Sequence, residues 1–114
     1  MDNRIRAWLY DILSAIQESN TYLEDEERIR KNYPTSFCIK KALERNMEIV
    51  GLSLNNIMDY QPELTISSSE KIIDISQRLA NLDDPVSEEI MKVALFEYFP
   101  KLKDEIHLMI IRSS

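Results

Sequence analysis

Glycine, cysteine and histidine each occur once in the 114 residues, and each scarcity closes off a class of structures. Average usage of about 7% would supply roughly eight glycines. With a single one, hairpin-rich β architectures, phosphate-cradling P-loops and glycine-fingerprint dinucleotide sites lack the left-handed turns and close backbone approaches they are built from. One cysteine cannot form an internal disulfide, and one cysteine with one histidine cannot form a zinc finger or any cluster of soft metal ligands. No metal or cofactor is expected. No stretch approaches 18 apolar residues, so no membrane contact is expected, and the opening MDNRIRAWLY lacks the apolar core of a signal peptide. A lone thiol fits a cytoplasmic protein of bacterial type. Twenty acidic residues against fourteen basic ones give a net charge of −6, which opposes non-specific attraction to nucleic acid and leaves only a local basic face for such contact.

What remains is an all-α protein, a single helical domain over residues 1–114 with 44% apolar and 30% charged residues, enough for one core and one solvated surface. Ile5, Leu9, Ile12 and Ile16 recur at the helical period, widened by Trp8 and Leu13, and predict a first helix over residues 3–20. The charged run from Glu24 to Lys31, followed by Pro34, reads as a solvated linker or short helix. Leu43, Met47, Val50, Leu54 and Ile57 predict a central helix over residues 35–59, with Ala42 and Ile49 as a second apolar edge. Gly51 lies in the middle of it, where glycine costs about 1 kcal/mol relative to alanine, and is read as a point where another helix crosses closely.

Ser67-Ser68-Ser69-Glu70 has the spacing of a capping box and should start a fourth helix carrying Ile72, Ile75, Leu79 and Leu82. That helix should stop at Asp83-Asp84-Pro85, with Asp84 capping the next one and Pro85 in its first turn. Met91, Leu95, Tyr98, Leu102, Ile106 and Met109 then share one face of a last helix that Pro100 should bend or break. The expected architecture is an up-down antiparallel bundle of four to five helices with a long central helix and a last helix kinked at its proline.

The segment Leu43-Glu44-Arg45-Asn46-Met47-Glu48-Ile49-Val50-Gly51 resembles the signature of the HepT-like family, a branch of the HEPN superfamily of small helical proteins. Trp8-Leu9-Tyr10-Asp11-Ile12-Leu13-Ser14-Ala15-Ile16 is similar to that family's first helix, and Phe99-Pro100-Lys101-Leu102-Lys103-Asp104-Glu105-Ile106 to its last. The resemblance covers nearly the whole chain in order. It implies a homodimer paired with a minimal nucleotidyltransferase in a toxin-antitoxin system. It also implies a metal-independent endoribonuclease motif, in which an Arg is followed four to six residues later by His and often by a Tyr two positions on. Chemically, a His titrating near neutrality can move the proton of a ribose 2′-hydroxyl, and an Arg can hold the scissile phosphate.

The matching stretch runs from Arg78 to Pro85. Arg78 fits the motif Arg, but Asp83 stands where His is expected and Pro85 where Tyr is expected. A carboxylate repels a phosphodiester, and titrating in water near about 3.9 it is a weak base at pH 7. Leu52 is a further departure, where members often carry Glu. The catalytic candidates are therefore Arg78 and Asp83, with activity lost or weak, and a cleft for nucleic acid or a nucleotide would use Arg45, Asn46 and Arg78. The simpler roles are an ion pair of Arg78 with Asp83 or Asp84, and pairing of Arg45 and Asn46 with Glu48 or Glu44 on their own helix.

His107 lies far from Arg78 along the chain, Cys38 reads as a buried inert thiol, and Glu24 to Glu27 as an exposed charged turn rather than a cation site. Trp8, Phe96, Tyr98 and Phe99 are core or interface residues before they are base-stacking ones. The leading expectation is a dimeric, HepT-like interaction subunit. The alternatives are an active endoribonuclease using Arg78 with Asp83 or His107, and a helical nucleotide-binding module.

Overall fold

The computed structural model describes residues 1–81 and 85–113, and every regular element among them is helical. In chain order these are α1 (Asn3–Tyr22), α2 (Asp25–Arg30), α3 (Phe37–Tyr60), α4 (Ser69–Ala80), α5 (Glu88–Val93) and α6 (Phe99–Arg112), with a π-helical turn over Ala94–Tyr98 joining the last two. None of the described helices is long and apolar enough to cross a membrane.

α1 begins at Asp2, whose carboxylate accepts the Arg4 N–H at 2.7 Å, and α3 begins at Ser36, whose hydroxyl accepts the Ile39 N–H. The same Asp2 accepts the Tyr60 hydroxyl at 2.8 Å, tying the start of α1 to the end of α3. Near the other end of α1, Glu18 meets Arg45 and Asn46 in the first half of α3. α1 and α3 are therefore antiparallel. α4 returns along α3, and the end of α6 meets the start of α1, where Ser113 approaches Met1.

The apolar stripes expected of α1 and α3 form the core. Leu9, Ile12 and Ile16 of α1 face Leu43, Met47, Val50, Leu54 and Ile57 of α3, closed by Ile72, Met91, Phe99, Leu102 and Ile106. Each fully buried side chain of this size contributes roughly 1.5–3 kcal/mol. Burial, more than propensity, is what makes these helices stable.

The lone glycine is spent on packing. A Cβ at Gly51 would overlap the side chain of Ser76 on α4 and lie 3.3 Å from the Ile72 carbonyl oxygen, so Gly51 is the close helix crossing expected of it. With no glycine left for left-handed turns, Lys31 (φ 57°) after α2 and Ser68 (φ 63°) before α4 adopt them instead. A residue with a Cβ pays about 1–2 kcal/mol for that conformation.

Three boundary expectations are corrected. Ser67 does not cap α4, which starts at Ser69 after the left-handed Ser68; its N–H is bound by the Glu105 carboxylate of α6 at 2.7 Å, a partner that outcompetes Glu70. α4 ends at Ala80, and Leu82, Asp83 and Asp84 lie outside the described residues. Pro85 does not enter the first turn of the next helix, because Ser87 caps it, its hydroxyl accepting the Ile90 N–H at 3.2 Å.

Pro100 distorts its helix without breaking it. The Phe99 N–H reaches back five residues to the Ala94 carbonyl, and this wide turn absorbs the proline as the helix continues. The extra residue shifts the register of the apolar face. Phe99, at 1% exposure, takes the core position expected of Tyr98, and Tyr98 moves to the edge.

Candidate functional site

The last turn of α4 carries Arg78, and opposite it lie α5 and the π turn. Between them is a groove of about 360 Å³, floored by Ile75, Ile90 and Val93 and edged by Lys71, Asp74, Arg78, Glu89 and Tyr98. The displaced Tyr98 ring has the Lys71 ammonium 5.4 Å from its centre, within range for a cation–π contact. Glu89 holds Lys92 at 3.3 Å. Two cations and two carboxylates alternate around this groove, so it offers no strong field of one sign.

The Arg78 guanidinium donates to the Pro85 carbonyl at 3.0 Å. It thereby spans the connection from α4 to α5, on which the remainder of the resembled motif falls. Asp83, the other catalytic candidate, is outside the described residues. Pro85 is described, and it has no hydroxyl to stand in for the motif Tyr.

Arg45 and Asn46 are placed in a different setting. Glu18 of α1 accepts from both, at 3.4 Å each, so their partner is on another helix and is neither Glu44 nor Glu48. Asn46 is 1% exposed, and burying its amide would be costly without such a partner. Arg45 is exposed, where an ion pair is worth about 1 kcal/mol or less. The structure thus unites Arg45 with Asn46 around Glu18 and sets Arg78 in the groove on α4.

His107 is exposed on α6 and borders a shallow depression with Tyr10, Leu13, Ser14, Gln17 and Glu18 of α1. Cys38 is exposed in the first turn of α3, which corrects the expectation of a buried thiol. Glu24 to Glu27 belong to the start of α2, where the Glu27 carboxylate accepts the Glu24 N–H at 3.4 Å, so the acidic run stabilises a helix start. Among the described residues, no three or more His, Cys, Asp or Glu side chains gather as a metal site would require.

Trp8 packs edge-on against Tyr60, with ring centres 5.8 Å apart. The Tyr60 hydrogen bond holds the Asp2 carboxyl below its ordinary value, and Asp2 in turn raises the Tyr60 phenol. Tyr33 is different: burial, with help from Glu44 and Glu88, pushes its phenol far up, and its hydroxyl has no hydrogen-bond partner among the described residues.

One feature escaped the sequence reading, and a second was seen there only as the apolar edge at Ile49. The first is another groove of about 370 Å³ between α3 and α4, lined by Gly51, Leu52, Asn55, Ile73, Ser76 and Ala80 among others. The other is the outer face of α3, where Leu52 is 62% and Ile49 38% exposed. Their signal was the position of Leu52, off the buried stripe of Val50, Leu54 and Ile57 on a helix otherwise well ordered into faces. No family model, no curated protein and no solved structure matches the chain.

Proposed function

We propose that this chain is a HepT-like helical interaction subunit of the cytoplasm, which homodimerises and pairs with a minimal nucleotidyltransferase, and in which ribonuclease activity is lost or much weakened. The observation that carries the reading is the bond from Arg78 to the Pro85 carbonyl. At the one motif position that the sequence retains, the guanidinium holds the protein's own backbone, and general acid–base chemistry at the phosphate works best with a proton carrier titrating near neutrality, which Pro85 does not supply and an ordinary carboxylate supplies only weakly. Exposed Leu52 and Ile49 on α3 support a role in association.

The nucleotide-binding alternative draws on the groove beside Arg78, with Lys71 and Tyr98 along its edge. Asp74 and Glu89 offset its two cations, which makes it the poorer account. Incubation of the purified protein with transfer RNA and messenger RNA tests the leading reading. Intact RNA is expected; cleavage that disappears in Arg78→Ala would establish an active nuclease and overturn it.

A further inference from the structure

The outward face of α3 has a charge pattern that becomes complementary when the helix meets a second copy of itself head to tail. Arg45, Leu52 and Asp59 are spaced by seven residues on one line of the helix, and all three are exposed. Two turns, about 10 Å, separate Leu52 from the charge on either side. Ile49 is exposed within the same stripe, and Glu48 and Asn56 are half-buried at its margins.

We infer that α3 is a homodimer surface in which two copies pack antiparallel about a two-fold axis at Leu52. This rests on the self-association in the reading above and names its surface and register. Under that axis Arg45 faces the second copy's Asp59, Glu48 faces its Asn56, and Leu52 faces its own equivalent. The two contacts between unlike residues each occur twice, as an isologous interface requires, and the Leu52 pair lies once, on the axis. A parallel pairing would instead set Arg45 against Arg45 and Asp59 against Asp59. Charge therefore selects the antiparallel arrangement, and the opposed helix dipoles agree with it.

The apolar centre has room to close. Beside Leu52 runs the groove between α3 and α4, about 370 Å³ and floored by Gly51, Ser76 and Ala80, where the small residues leave space for an incoming Leu52 or Ile49. Arg45 also holds Glu18 at 3.4 Å, with 64% of its side chain exposed. Its five N–H donors can serve Glu18 and the second copy's Asp59 together.

Sedimentation equilibrium on the full chain tests this, with circular dichroism to show that each variant is folded. The wild type should sediment at twice 13.4 kDa. Leu52→Glu should weaken association by about a hundredfold, as a charge at the centre of an interface does. Arg45→Glu and Asp59→Arg should each weaken it about tenfold, since each creates two like-charge contacts.

An equimolar mixture of these two single variants should recover the dimer, because every contact between one and the other again joins opposite charges. A dimeric wild type whose association is unchanged by Leu52→Glu, or whose two charge variants gain nothing on mixing, overturns the α3 interface while leaving self-association standing. A wild type that stays monomeric overturns both, and assigns the face to a partner of another sequence.

Discussion

Replacing Gly51 by alanine sets two well-measured effects against each other. In an exposed helix interior the substitution stabilises by about 1 kcal/mol, because glycine has more backbone freedom to lose. At Gly51 the new Cβ would overlap both Cβ and Oγ of Ser76. The Cβ is fixed to the α4 backbone and cannot swing aside, so α4 itself must shift, and overpacking of this kind costs about 1–3 kcal/mol. Taking the upper part of that range, the net effect is a loss of about 2 kcal/mol, or about 8 °C in melting temperature for a chain of this size.

The steric cause can be separated from any other by removing the atoms in the way. Ser76→Gly deletes both, at a cost of about 1 kcal/mol from helix propensity and from the hydroxyl's bond to the Ile73 carbonyl at 2.7 Å. In that background the nearest atom to the new Cβ is the Ile72 carbonyl oxygen at 3.3 Å, a contact that a shift of a few tenths of an ångström relieves. It should then be neutral or stabilise by up to about 1 kcal/mol, giving a coupling of about 2–3 kcal/mol between the two sites. Urea unfolding of the four proteins, followed by circular dichroism, measures it. Equal effects of Gly51→Ala in both backgrounds would refute the close crossing, as would a Gly51→Ala protein as stable as the wild type.

Tyr33→Phe removes a buried hydroxyl with no partner among the described residues, so stability should hold or rise by up to about 1 kcal/mol in urea unfolding; a loss greater than that would show the hydroxyl to be engaged. The Asp2–Tyr60 contact should have a defined pH window. Asp2 is held below its ordinary 3.8, so its contribution is complete above that pH and lost as pH falls through the lowered value; Tyr60 is raised above 10.0, so its share is complete below that pH and lost as pH rises through the raised value. Asp2→Asn keeps a good helix cap but removes the charge that raises Tyr60, so it should flatten the acid limb of stability against pH and shrink the alkaline one, and an unchanged acid limb would count against the contact.

The helices were legible because burial imposes the 3.6-residue period on each stripe, and α1 and α3 obey it throughout. Gly51 was legible as a crossing for a related reason: a glycine in a helix that gains nothing from flexibility implies something close by, although not that the neighbour is Ser76. The failures occur where a distant group intervenes. Ser67 and Glu70 have capping-box spacing, yet Glu105 of α6 binds the Ser67 N–H first. Period counting also assumes a constant number of residues per turn. The π turn before Pro100 breaks that assumption by one residue and exchanges Tyr98 for Phe99 in the core.

The candidate site was legible as residue types but not as geometry. Arg45, Asn46 and Arg78 were expected around one cleft, and within a single chain they are engaged separately, the first two by Glu18 and the third by Pro85. α3 is the helix between α1 and α4, and its buried stripe belongs to the core of its own chain. Only its opposite face is free to meet another molecule, and that is where Arg45, Leu52 and Asp59 fall. Helical periodicity is blind to such a face because it scores where apolar residues recur and gives no weight to a lone leucine between two charges of opposite sign. What singles out Leu52 is its exposure, and what gives that exposure a direction is the sign change from Arg45 to Asp59.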